Sequence, residues 1–268
     1  MSRHIPRKRF GQHFLHAPSV IERIVSSIDP HPGEPLVEIG PGLGAITLPL
    51  LARVHEMHAV EIDRDAIREL AAKTRDKGTL HIHEADVLDF DFAQLRITPQ
   101  PLRLVGNLPY NISTPLLFRL MEQREHFLDM HFMLQKEVVD RMAAQANDDA
   151  YGRLSVMLAP WLSVEPLFDI GPGAFRPPPQ VTSSYVRLRP YAAPPFTIDD
   201  RRAYSQVVAA AFSQRRKTLR NALKALLGEE LIRAAGIDPG ARAETVSPAR
   251  YAALANLWHK DKRLAVSG

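Results

Sequence analysis

The sequence predicts an α/β protein, a doubly wound parallel sheet followed by a small all-helical domain. Three observations carry this. Over the first 190 residues, short apolar runs alternate with helical patterns, as in successive βαβ units. A glycine loop, GPGLG at 40–44, follows directly on the apolar run LVEI at 36–39, the place where a strand hands over to a helix in such folds. Beyond PYAAPPF (190–196), with its three prolines, every pattern is helical. The expected domains are 1–192, with a basic arm at 1–16, and 193–268.

The elements follow in order. LVEI reads as a buried strand, and a helix follows the glycines. HAVEI (58–62) is the next strand, with a helix at 64–74. LHIHEADV (80–87) holds a third strand and RLVGN (103–107) is a fourth. Ser113 then reads as a helix cap, with Pro115 tolerated in the first turn. MHFMLQ (130–135) is a strand and KEVVDRMAA (136–144) a helix. Further strands are expected near 155–169 and at SSYVRLR (183–189). In the tail, Tyr204, Val207, Val208, Ala211 and Phe212 fall on one helical stripe, and so do Leu219, Ala222, Leu223 and Leu226. Helices are also expected near 229–235 and 248–258.

Composition narrows the chemistry. The 268 residues include no cysteine, which excludes disulfides, thiolate metal sites and a cysteine nucleophile. The 11 histidines form no HExxH, and His81 and His83, sharing a strand face, read as satisfied histidines rather than a metal pair. No apolar run is long enough to span a membrane, and no apolar stretch follows the basic N-terminus as in a signal peptide. A cytoplasmic, monomeric protein is the expectation. The net charge of +4 is unevenly placed: residues 195–268 hold 13 Lys and Arg against 7 Asp and Glu, while 1–194 hold 21 against 23. A basic tail suits an anionic polymer as partner, and equally a solvated helical face.

Gly40, Gly42 and Gly44 let backbone approach a ligand closely. Glu61, 21 residues after Gly40 at the end of the next strand, can accept from the hydroxyls of a ribose. Asp86, at the third strand's end, can accept from an adenine amino group. The loop alone fits S-adenosylmethionine, a nicotinamide dinucleotide, or a tight structural turn. Glu38, ahead of the glycines, leans towards the first.

Asn107-Leu108-Pro109-Tyr110 ends the fourth strand. An adenine N6 is a poor nucleophile because its lone pair is delocalised into the ring. Two acceptors on its N–H bonds, the Asn107 side-chain oxygen and the Leu108 carbonyl, favour the localised, tetrahedral form in the transition state. Pro109 stiffens the turn, and Tyr110 offers a stacking surface. The bland alternative is a proline turn ending a strand.

Together with RKRFGQHFL (7–15), VEIGPGLGAIT, VEIDRD, GNLPYNISTPLLF, AFRPPPQVTSS (174–184) and FSQRRKTLRNAL (212–223), these motifs resemble the KsgA (RsmA) family of ribosomal small-subunit RNA adenine dimethyltransferases over nearly the whole chain. The resemblance implies a Rossmann-like class I methyltransferase sheet. It implies S-adenosylmethionine as cofactor, with S-adenosylhomocysteine as product, contacted by His13, Leu15, Gly40, Gly42, Glu61, Asp86 and Asn107. His13 stands where many members carry Asn. The implied reaction is N6,N6-dimethylation of two adjacent adenines in the 3′-terminal hairpin loop of 16S rRNA, within the small ribosomal subunit. Asn107, Leu108, Pro109 and Tyr110 would form the catalytic turn. Phe175 would close on the adenine opposite Tyr110, although from residue type alone it reads better as a core plug. Arg215, Arg216, Lys217 and Arg220 form the densest basic cluster, and Arg7, Lys8 and Arg9 a second one; both are candidate phosphate contacts. The same chemistry on large-subunit RNA or on DNA, and a non-catalytic ribosome assembly factor, are the rival readings.

Overall fold

The computed structural model describes residues 13–214 and 216–267. They form two compact units: 13–139 with 164–190, and 140–163 with 191–267.

The first unit opens on β1 (Phe14–Leu15) and α1 (Pro18–Ile28). Proline in the first turn costs no hydrogen bond. Ile24, Val25 and Ile28 form the buried stripe of α1, and Asp29 in the left-handed region ends it. Then come β2 (Leu36–Ile39), α2 (Thr47–Val54), β3 (Glu56–Glu61), α3 (Arg64–Thr74), β4 (Thr79–Glu84), β5 (Leu102–Asn107), α4 (Ser113–Glu122) and β6 (Phe127–Gln135). Asp63 caps α3 by accepting from the Asp65 N–H at 3.0 Å. The helix α5 (Lys136–Ala143) crosses into the second unit, α6 (Arg153–Leu158) lies in it, and β7 (Leu162–Ile170) returns to the first. β8 (Phe175–Arg176) and β9 (Ser183–Pro190) complete the strands.

Seven strands lie in the order β4-β3-β2-β5-β6-β9-β7. The pairs β3–β4, β2–β3, β2–β5 and β5–β6 are parallel, and β6–β9 is antiparallel. The parallel strands β2 and β5 are buried along nearly their whole length, and each buries one charged residue among apolar ones, Glu38 and Arg103. Chain order reverses at β2, between β3 and β5, which is where doubly wound sheets open a crevice beyond their strand ends. One apolar cluster packs α1 and α2 onto Leu36, Val105, Met133 and Tyr185. Beneath α1, Arg103 is held in both directions. Its Nε and a terminal nitrogen donate to Asp129 at 2.9 and 3.0 Å, and the other terminal nitrogen donates to Glu34 at 2.8 Å. It also donates to the Ile28 carbonyl at 2.7 Å, tying the end of α1 to the sheet.

In the second unit come α7 (Arg201–Ala211), α8 (Leu219–Leu223), α9 (Glu229–Ala234) and α10 (Pro248–Ser267); α7 buries Tyr204, Val207, Val208 and Ala211 as expected and α8 buries Leu219 and Leu223, while Phe212 and Leu226 of the expected stripes fall past the helix ends. Three buried tyrosines anchor it. Tyr151 donates to the Val246 carbonyl, Tyr204 to that of Val156, and Tyr251 to that of Ala243, each at 2.8 Å.

Three local expectations are corrected. Of the strand expected near 155–169, residues 162–169 lie in β7 but 155–158 belong to α6, which is started by Gly152, whose N–H donates to the Ser155 hydroxyl at 3.1 Å. Ser113 is the first residue of α4, not its cap; its hydroxyl donates back to the Tyr110 carbonyl at 3.0 Å. The segment 140–163, expected in the first domain, groups with the helical residues 191–267, although its last two residues begin β7. Among the described residues no helix is long and apolar enough to cross a membrane, and no group of three or more His, Cys, Asp or Glu is arranged so that it could hold a metal ion.

Candidate functional site

A cavity of about 1030 Å³ opens at the carboxyl ends of β2, β3 and β5. Gly40 and Gly42 enter it with φ of +64° and +53°, values that a side chain would strain. A Cβ on Gly40 would meet nothing within 4 Å, so bare backbone faces open space there. At Gly42 the neighbour is the Phe14 ring, 3.2 Å from where a Cβ would stand. Gly106 serves a different purpose. It pairs with Ile39 across β2 and β5, and a Cβ on it would stand 2.7 Å from the Ile39 carbonyl oxygen.

Glu61 ends β3 and is buried. Its Oε2 accepts from the Gly42 N–H at 3.1 Å, and its Oε1 from the Ile62 and Asp63 N–H groups at 2.9 Å. Burial raises its pKa, while these backbone donors work the other way. Oε2, with a single donor, keeps a lone pair for a ligand, whereas Oε1 already accepts two bonds. Glu38, on β2, is 2% exposed and its Oε2 has no hydrogen-bond partner. Burial pushes its carboxyl up to about 8; the Thr47 hydroxyl opposes this without reaching hydrogen-bond geometry, and the charge of Glu61 adds to it. Asp86 lies just past β4, where its Oδ1 accepts from the Leu88 N–H at 2.9 Å.

Asn107 is the last residue of β5. Its Nδ2 donates to the His13 carbonyl at 2.9 Å. This spends the donor end of the amide and leaves Oδ1 to accept. Leu108 is buried, and its N–H donates to the Met133 carbonyl at 3.2 Å, which fixes the start of the turn on β6. The Tyr110 hydroxyl lies 2.6 Å from Ser183 Oγ. Burial raises the Tyr110 pKa, with the Ser183 bond opposing.

His13, Leu15, Gly40, Gly42, Glu61, Asp86 and the turn 107–110 therefore line one cavity. Phe175 does not. Its ring is 2% exposed and belongs to the apolar cluster under α1 and α2, because the pairing Leu15↔Phe175 carries it inwards. Its neighbours Arg176 and Pro177 face the cavity instead. Sequence reasoning missed Ser183 and the walls from α1, Pro18 and Ile21. The apolar spacing 20, 21, 24, 25, 28 after a proline was the available signal for that helix.

In the second unit Arg216 and Lys217 are exposed, and Arg220 pairs with Glu229 at 2.7 Å. Arg7, Lys8, Arg9 and Arg215 lie outside the described residues.

The family model described as ribosomal RNA adenine dimethylase matches residues 3–260. This chain belongs to the ribosomal RNA adenine dimethylase family. It is thus an rRNA methyltransferase by descent, on a Rossmann-like sheet. Its relatives include the ribosomal RNA small subunit methyltransferase A of Methylococcus capsulatus, 55% identical over 252 residues, 94% of this chain and 97% of that protein. The protein of the same name from Aromatoleum aromaticum is 55% identical over 256 residues, covering 96% and 95%. Among solved structures, a dimethyladenosine transferase from Plasmodium falciparum superposes with a TM-score of 0.77 at 24% identity, covering 93% of this chain and 98% of that one. The 23S rRNA methyltransferase ErmE gives 0.71 at 24% identity, covering 92% and 99%. At that identity both likenesses speak for the fold alone.

Proposed function

We propose that this dimethylase-family protein transfers methyl groups from S-adenosylmethionine to N6 of two adjacent adenines in the 3′-terminal hairpin loop of 16S rRNA, within the small ribosomal subunit. The observation that carries the reading is Asn107. Its amide nitrogen is committed to His13, so Oδ1 is the free end, in the same cavity as the glycine loop.

The residues present fit the cofactor. Bare backbone at Gly40 faces open space, Glu61 and Asp86 stand at successive strand ends for a ribose and an adenine, and the unpartnered Oε2 of Glu38 offers a polar group to a ligand. The bound sulfonium supplies an electrophilic methyl group. Asn107 Oδ1 and the Leu108 carbonyl accept the two N6 hydrogens of the target base as charge develops on nitrogen. Tyr110, held by Ser183, stacks on that base. A proton leaves the methylated amine afterwards, so no strong general base is required. A hairpin loop lowers the cost of unstacking the adenine. Arg216, Lys217 and Arg220, with Arg7, Lys8, Arg9 and Arg215, supply cations for phosphates. The share of identity with proteins named for the small subunit favours that RNA over large-subunit RNA.

The test is transfer of labelled methyl to small subunits lacking the dimethyladenines. The proposal expects label at both adenines with the wild type and a loss of about two orders of magnitude with Asn107→Ala. Absence of label despite tight subunit binding would overturn it in favour of an assembly factor.

A further inference from the structure

His13 touches both halves of the site, once through its main chain and once through its side chain. Its carbonyl accepts from Asn107 Nδ2 at 2.9 Å. Its imidazole Nδ1 lies 2.8 Å from the Pro177 carbonyl oxygen. A carbonyl only accepts, so Nδ1 carries the hydrogen of that bond. The ring also leans on Tyr110, centroids 5.6 Å apart. Immediately beyond, Phe14 and Leu15 pair with Arg176 and Phe175, and the His16 N–H donates to the Ala174 carbonyl at 2.9 Å. His13 stands at the open end of this short ladder, where its side chain fastens it to the 174–177 loop.

We infer that His13 is a positioning residue: its imidazole pins the main chain to Pro177, and the carbonyl so placed holds the Asn107 amide with Oδ1 free to accept. This rests on the reading of Asn107 as the acceptor of the target amine. A side-chain amide has two orientations related by a half-turn, and only one offers oxygen to an N–H donor. Without the pin the His13 carbonyl drifts and the amide samples both. The donor that counts is one atom beyond Cγ. Asparagine carries Nδ2 at that position, whereas glutamine carries its nitrogen one bond farther out.

Full-length wild type, His13→Ala, His13→Asn, His13→Gln and Asn107→Ala are compared for kcat and KM on small subunits. Binding of S-adenosylhomocysteine is measured by calorimetry on each. In ligand-free protein, hydrogen exchange of the Asn107 side-chain amide is followed by NMR. The expected result is a fall in kcat of about tenfold for Ala and Gln, recovery to within about twofold for Asn, and thioether affinity changed by less than about threefold. Protection of the Asn107 amide should be present in wild type and the Asn variant and lost in the other two His13 variants. Affinity falling in step with kcat would make His13 a plain ligand contact and overturn the inference, as would an Asn variant no better than Gln. If Asn107→Ala is inactive while His13→Ala turns over normally, only the inference about His13 falls. If Asn107→Ala keeps full activity, the acceptor reading falls and takes the inference with it.

Discussion

Tyr110 and Ser183 are joined through their hydroxyls, 2.6 Å apart, across 73 residues of chain. The bond fixes the one aromatic ring of the Asn-Leu-Pro-Tyr turn against the antiparallel strand β9. Stacking and anchoring are separable. Tyr110→Phe keeps the stacking face and should cost methyl transfer about tenfold or less, the value of one neutral hydrogen bond. Tyr110→Ala should cost about 1–3 kcal/mol in kcat/KM. Ser183→Ala should match Tyr110→Phe, and the double variant should be no worse than either. Additive losses would show that Ser183 acts elsewhere.

Glu38 makes stability fall with rising pH. Burial holds its folded pKa near 8, above the ordinary value of 4.5. Below 4.5 it is protonated in both states; between 4.5 and 8 the folded protein retains a proton that the unfolded chain releases. Ligand-free protein should therefore lose a few kcal/mol from this group as pH rises through that window. Urea melts at several pH values should show a flatter profile for Glu38→Gln. An unchanged profile would mean the carboxyl is ionised and solvated.

Much of this frame was legible beforehand, and the exceptions have physical reasons. The strands ending in Glu61 and Asn107 could be read because buried parallel strands are mostly apolar and here end at glycine or polar residues. The stretch 153–158 could not, because a short buried helix and a buried strand share composition. Phe175 was assigned to the base on resemblance and to the core on residue type. The register Leu15↔Phe175, a pairing across 160 residues of chain, decides for the core. The partners of His13 were hidden for the same reason, since main-chain acceptors at Pro177 leave no trace in side-chain patterns.

The cluster His58, His81 and His83 should make the sheet edge sensitive to acid. His58 Nδ1 and His83 Nε2 lie 3.0 Å apart, and His81 bonds Glu56 at 2.8 Å. Burial, with the charges of His81 and His83, lowers the His58 pKa from 6.5 to about 4. Burial and His81 lower that of His83. The unfolded chain thus binds more protons below 6.5, and stability should be lost as pH falls from 6.5 towards 4. With screening at this half-exposed site the loss should be about 1–2 kcal/mol. His58→Asn should blunt the decline in thermal melts between pH 6.5 and 4.

Arg103→Met should be among the most damaging single changes in the first unit. Burial disfavours the Asp129 charge, but bonds from His131 and Arg103 hold its pKa near 2. Removing Arg103 leaves that buried carboxylate with His131 alone, at a cost of about 3–5 kcal/mol. Chemical denaturation should register this loss. Asp129→Asn on top of Arg103→Met should return part of it, whereas a merely additive result would refute the pairing.

The absent side chain at Gly106 has a reach beyond its own position. Gly106 and Ile39 face each other at backbone contact, and the next residues along their strands are Asn107 and Gly40. The gap between the two working loops is therefore set by the thickness of two bare peptide planes. That makes it a gauge independent of how the interior is filled. The glycine loop and the Asn107 turn leave the sheet side by side at that spacing. A single methyl group inserted between the strands would reset it.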